Sequence, residues 1–259
     1  MIKTDHKGVA HIVGLSGGKD STALALRLKE LHPSVPYNYV CSPTGDELPE
    51  MVDHWLRLGD ILGSRLIPIT ASGASLNGLI REFNAVPNAR MRWCTRILKI
   101  EPFKAFLLAN APCIHYVGIR ADEDDREGIY GEIEGVTQLY PFQDWEWKIG
   151  DVLEYLRAHG ISIPRRTDCA RCYAQQLGEW WNLWADHPEK FQDGVEQEKK
   201  TGYTFRSESR DSWPASLELM RQRFEKGDAP GRSKSSRHQL RLFDDELQHE
   251  QGRCRVCTL

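Results

Sequence analysis

The chain has 259 residues, 40% hydrophobic and 27% charged, with thirteen prolines, which suits an ordinary globular protein and excludes a proline-driven disordered one. Its formal charge of -3 supplies no global field for a polyanion, so any nucleic-acid contact must come from a local basic surface. No apolar run approaches the ~18 residues of a membrane span, and Met1 to His6 lack a secretory apolar region, so a cytoplasmic protein with no membrane partner is expected.

Gly8 to Leu15 is short, largely apolar and runs into a glycine-rich turn, as a buried parallel strand does. From Ser21 to Leu31 the apolar residues fall at helical spacing. A strand at Tyr37 to Cys41, a helix at Leu48 to Leu62 and a strand at Arg65 to Ile69 follow, divided by proline and glycine. After a polar, irregular stretch come a helix at Ile97 to Ala109, strands at Cys113 to Ile119 and Val136 to Tyr140, and a helix at Ile149 to His159 stopped by Gly160. The alternation predicts an α/β domain with a doubly wound, mostly parallel sheet over residues 1–163. Residues 164–259 read instead as a helical, cysteine-bearing region, with helices at Gln175 to Ala185, Pro188 to Lys200 and Pro214 to Glu225 and a basic linker at Gly227 to Arg241.

Between the first strand and helix lies Ser16-Gly17-Gly18-Lys19-Asp20-Ser21. Its glycines let backbone amides approach phosphate oxygens, Lys19 adds a cation, and the helix offers its positive end. The spacing is neither a Walker loop nor a Gly-x-Gly-x-x-Gly turn. Asp46 and Glu47 admit two readings: a solvated helix start, or ligands of magnesium or nucleotide. Arg120 and Arg126 follow a strand end, where ligands of open sheets gather, and are phosphate candidates against the alternative of surface arginines.

Seven cysteines without a recognisable export signal favour metal, catalysis or buried thiols over disulfides. Cys169-Ala170-Arg171-Cys172 and Cys254-Arg255-Val256-Cys257 both have metal-ligand spacing, whereas Cys41 and Cys113 sit on predicted strands as buried thiols. Zinc shared by the two pairs is an alternative, although the spacer far exceeds that of a compact ribbon. Trp145, Trp147, Trp180, Trp181 and Trp184 suit core packing better than base stacking.

The Ser16 to Ser21 segment resembles the PP-loop of the N-type ATP pyrophosphatases, within the phosphoadenosine phosphosulfate reductase-like superfamily. The resemblance extends to Thr44-Gly45-Asp46-Glu47-Leu48-Pro49, to Arg92-Trp93-Cys94-Thr95 with Lys99, and to Gly118-Ile119-Arg120-Ala121-Asp122-Glu123. It implies an adenine nucleotide alpha hydrolase-like fold, ATP and magnesium as ligands, and Lys19 and Asp20 as catalytic residues. It also implies a 4Fe-4S cluster on Cys94, Cys169 and Cys172, with Cys254 or Cys257 as fourth ligand. On this reading Cys254 is the ligand and Cys257 is free for sulfur chemistry. The implied activity is adenylation of an acceptor such as RNA or DNA for sulfur transfer from a donor protein. A sulfonucleotide reductase is the competing activity, but such reductases usually lack the lysine-containing loop. A third expectation is a nucleotide-binding partner without turnover, its cysteines holding a structural metal.

Overall fold

A computed structural model describes residues 2–71, 73–123, 131–208 and 210–230. Its centre is a five-stranded sheet of β1 (Ala10–Gly14), β2 (Tyr37–Cys41), β3 (Ile67–Pro68), β4 (Cys113–Tyr116) and β5 (Val136–Leu139). The strands lie in the order β3-β2-β1-β4-β5 and every pairing is parallel, so the α/β fold with a parallel sheet is realised. In-register partners such as Val13 with Tyr39 and Tyr116 bury the central strand on both faces. The third strand is shorter than its apolar run suggests. Pro68 lacks an N–H, which is tolerated because β3 is an edge strand.

Helices α1 (Lys19–Leu31) and α2 (Pro49–Leu62) make the first crossovers. The stretch expected to be irregular contains α3 (Leu76–Phe83), whose Ser75 cap accepts a hydrogen bond from the Gly78 N–H at 3.1 Å. Next come a single turn, α4 (Trp93–Thr95), and a π-helical turn at Arg96–Ile100, which continues into α5 (Glu101–Ala109). A short α6 (Pro141–Asp144) leads to α7 (Ile149–Ala158), which packs on α1. The remaining helices are α8 (Leu177–Asp186), α9 (Pro188–Thr201) and α10 (Leu217–Glu225).

These last helices share a core with the crossovers. Trp180, Phe191, Phe205 and Phe224 pack in one apolar cluster with Leu48, Leu76 and Leu98. Trp180 is fully buried, and Trp181 and Trp184 pack against Phe224, so these indoles serve a core. Trp145 and Trp147 pack on Phe142 beside α1 and α7. Among the described residues no helix is long and apolar enough to cross a membrane.

Candidate functional site

The strand order reverses at β1, whose neighbours β2 and β4 carry the chain to opposite edges. Loops leaving the carboxyl ends of β1 and β4 therefore part and open a crevice, where parallel sheets bind ligands. The first of these loops is the glycine segment. Gly18 caps α1 without a side-chain hydrogen bond, so no cap side chain takes the first-turn amides. Ser16 and Ser21 hydroxyls lie 3.0 Å apart across the loop, and Lys19 is buried with its Nζ 3.3 Å from Asp20.

The second loop reaches back to the first. Arg120 is buried and bonds Asp20 at 3.0 Å and Asp122 at 2.9 Å, with Glu123 at 3.6 Å. Expected on phosphate, its guanidinium is here engaged with three carboxylates and locks the β4 loop to the first turn of α1. Arg126 lies outside the described residues.

Helix α2 supports the glycine loop through residues that the motif does not include. Gly17 has φ of +87°, and a Cβ there would lie 2.2 Å from Met51 Cε and 2.9 Å from Trp55 Nε1. Only glycine fits both the backbone and the space. Trp55 Nε1–H donates to the Ser16 carbonyl at 3.0 Å, and His54 Nε2 lies 3.0 Å from the Gly17 carbonyl. Arg57 donates to His54 Nδ1 at 3.0 Å and to the Ser162 hydroxyl at 3.1 Å. Because a guanidinium only donates, Nδ1 must accept, which leaves the proton on Nε2 facing Gly17. Burial, with the Arg57 charge beside it, depresses the His54 pKa to about 4, so the ring is neutral.

Asp46 is not a solvated acid at a helix start. It is fully buried before α2, its Oδ2 accepting from Arg171 Nε and the Arg171 N–H at 3.1 Å each and its Oδ1 from Arg171 Nη2. Lys190 approaches the same carboxylate at 3.6 Å. The Glu47 carboxylate folds back onto its own loop, accepting from the Gly45 N–H at 2.9 Å and from the Thr44 N–H and hydroxyl. Both acids thus shape the β2 loop from within.

The pairing of Asp46 with Arg171 brings the cysteine turn to the same edge of the sheet. Cys94 and the sequence-distant pair Cys169 and Cys172 line one pocket with Thr44, Lys99 and Tyr173. The Ala170 N–H donates to the Asp46 carbonyl at 2.6 Å, and buried Arg166 donates to the Cys169 carbonyl at 2.9 Å, so the turn between the cysteines is pinned from two sides. Burial raises all three thiols, Cys169 to about 11 and Cys172 well above the ordinary value, while the Lys99 charge opposes the rise at each. Three thiols on one wall are the donor type that soft metals and iron–sulfur groups take. Among the described residues no three His, Cys, Asp or Glu side chains converge as a bound metal requires, so the donor chemistry fits and the present geometry is more open. Cys254 and Cys257 lie outside the described residues. Cys41 and Cys113 are buried on β2 and β4.

An uncharacterized protein of Methanocaldococcus jannaschii, MJ0066, is 26% identical over 191 residues, which cover 68% of this chain and 39% of that relative. The chain thus spans well under half of this relative's length. Among solved structures, the phosphate complex of the phosphoadenylyl-sulfate reductase of Candida auris is 13% identical with a TM-score of 0.46, over 59% of this chain and 74% of that one. The U34-tRNA thiolase NcsA of Methanococcus maripaludis, solved with its 4Fe-4S cluster, is 16% identical with a TM-score of 0.47, over 78% and 74%. The model of the phosphoadenosine phosphosulfate reductase domain matches residues 10–165, which include the glycine loop, the Asp46 loop, Cys94 and the Arg120 loop. That match covers more than half of the chain, and this protein accordingly belongs to the phosphoadenosine phosphosulfate reductase domain family.

Proposed function

We propose that this protein is an ATP pyrophosphatase that adenylates an acceptor, such as RNA or DNA, for sulfur transfer from a donor protein. The observation that carries the reading is Lys19, a buried cation in a glycine loop at the helix end that borders the β1/β4 crevice. In this reading residues 1–163 bind the nucleotide and residues 164–259 bring the second cysteine group.

Ser16 to Ser21 cradle the β- and γ-phosphates of ATP. An acceptor oxygen bonds to the α-phosphorus as the bond to the bridging oxygen breaks and pyrophosphate leaves. Lys19 stabilises the charge gathering on the departing group, a role that magnesium bound with the nucleotide would share. Asp20 fixes Arg120 across the crevice. Cys94, Cys169 and Cys172 are the residues to hold a 4Fe-4S group, which when bound supplies the sulfur chemistry.

Anaerobically purified protein incubated with ATP and magnesium, with and without RNA or DNA, tests the reading. Pyrophosphate release that Lys19→Met abolishes is the expected result. Sulfite release from a sulfonucleotide without ATP cleavage overturns it in favour of a reductase. Binding of ATP without turnover under every condition overturns it in favour of a non-catalytic partner.

A further inference from the structure

The two carbonyls at the tip of the glycine loop are both held by helix α2, by consecutive side chains. Trp55 Nε1–H takes the Ser16 carbonyl and His54 Nε2–H takes the Gly17 carbonyl, each at 3.0 Å. In a trans peptide the carbonyl and the following N–H point in opposite directions. Fixing the Ser16 carbonyl toward α2 therefore turns the Gly17 N–H away from it, and fixing the Gly17 carbonyl does the same for the Gly18 N–H. Two successive amides facing away from one wall form the concavity that binds anions. The Gly18 N–H meanwhile rests on the Ser16 hydroxyl at a long 3.3 Å, a contact a phosphate oxygen readily replaces.

The wall behind the loop is tight and tied down. Gly17 packs against the Met51 tip and the edge of the Trp55 ring, so the loop rests directly on the helix. Arg57 fixes the His54 ring from behind and ties it to Ser162, beyond the last helix of the α/β unit.

We propose that His54 and Trp55 are positioning residues of the phosphate loop, which aim the Gly17 and Gly18 amides at the anion by holding the two carbonyls on the opposite side. This rests on the reading of the loop as a phosphate site, and it assigns a function to residues outside that motif.

The test is titration of isotope-labelled protein with inorganic pyrophosphate and with ATP and magnesium, reading the Gly17 and Gly18 amide resonances and the dissociation constants. Trp55→Phe keeps the ring against Gly17 and deletes one donor. His54→Phe deletes the other, and His54→Gln retains an N–H. Trp55→Phe and His54→Phe are expected to weaken pyrophosphate binding about five- to tenfold, as loss of one hydrogen bond to a fixed group does. The following glycine amide responds less at saturation, His54→Gln stays within about twofold of the parent, and the ligand-free melting temperature of Trp55→Phe falls by no more than about 4 °C. Parent-like affinity and glycine shifts in Trp55→Phe and His54→Phe overturn the inference while the phosphate site stands. A parent protein that responds to neither ligand overturns both. Should His54→Phe fail to fold, Trp55→Phe alone decides.

Discussion

Replacing Asp46 by Asn removes one charge from the buried junction between the β2 loop and the cysteine turn without changing its size. Arg171 has no exposed side-chain surface, and it then meets one neutral amide oxygen and one NH2 donor in place of the carboxylate, with the Asn77 side-chain oxygen at 2.8 Å its other acceptor. Breaking a buried pair from one side costs about 3–5 kcal/mol, because the remaining charge stays desolvated. Lys190, 27% exposed and 3.6 Å away, turns to solvent and does not add a second stranded charge, so about 3–4 kcal/mol is expected. In a chain of this size that corresponds to roughly 10 °C in melting temperature. Urea unfolding followed by tryptophan fluorescence measures the loss. Asp46→Asn combined with Arg171→Met should recover at least half of it, since neither charge is then stranded. A loss below about 1 kcal/mol, or a double variant no better than Asp46→Asn, refutes the view that this pair holds the two segments together.

Gly17→Ala should weaken binding of ATP measured by calorimetry about tenfold or more, since an alanine is strained at φ of +87° and its methyl meets the Trp55 ring at 2.9 Å; retained affinity would show that the loop moves freely on α2. Burial of Glu198 pushes its pKa up to about 7 although the Phe205 and Leu217 N–H groups bond to it. The unfolded state then loses its proton first as pH rises from about 4.5, so stability falls between about pH 4.5 and 7, by up to about 3 kcal/mol at roughly 1.4 kcal/mol per unit. Denaturation midpoints across that range should show the slope, and Glu198→Gln should flatten it. With its thiol pushed up to about 11 by burial, Cys169 in metal-free protein should alkylate at pH 8 on the order of a hundredfold more slowly than a free cysteine, and urea should remove the difference.

Periodicity alone located β2 at Tyr37–Cys41 and α7 from Ile149, because a fully apolar short run and a 3.6-residue stripe are local signals. Helix α3 carried the same stripe in Leu76, Leu79, Ile80 and Phe83, with Ser75 as a cap, but its polar surroundings masked it. The glycine loop was legible because strand, turn and helix are contiguous. What the three-dimensional arrangement alone decided is how buried charges and loop carbonyls pair across distant segments. Asp46 reads in sequence either as a solvated acid at a helix start or as a ligand of magnesium or nucleotide, and its burial against Arg171 from 125 residues away is visible only in the fold. Arg120 reads in sequence as a phosphate candidate or a surface arginine, and its ion pair with Asp20 at 3.0 Å is visible only in the fold. The family resemblance already groups Cys94 with Cys169 and Cys172, which the structure places along one pocket, whereas His54 and Trp55 look like ordinary residues of an amphipathic helix until the loop rests on them. Local periodicity records which face of a segment is apolar, whereas the partner of a buried charge or a pinned carbonyl is set by where separate segments meet.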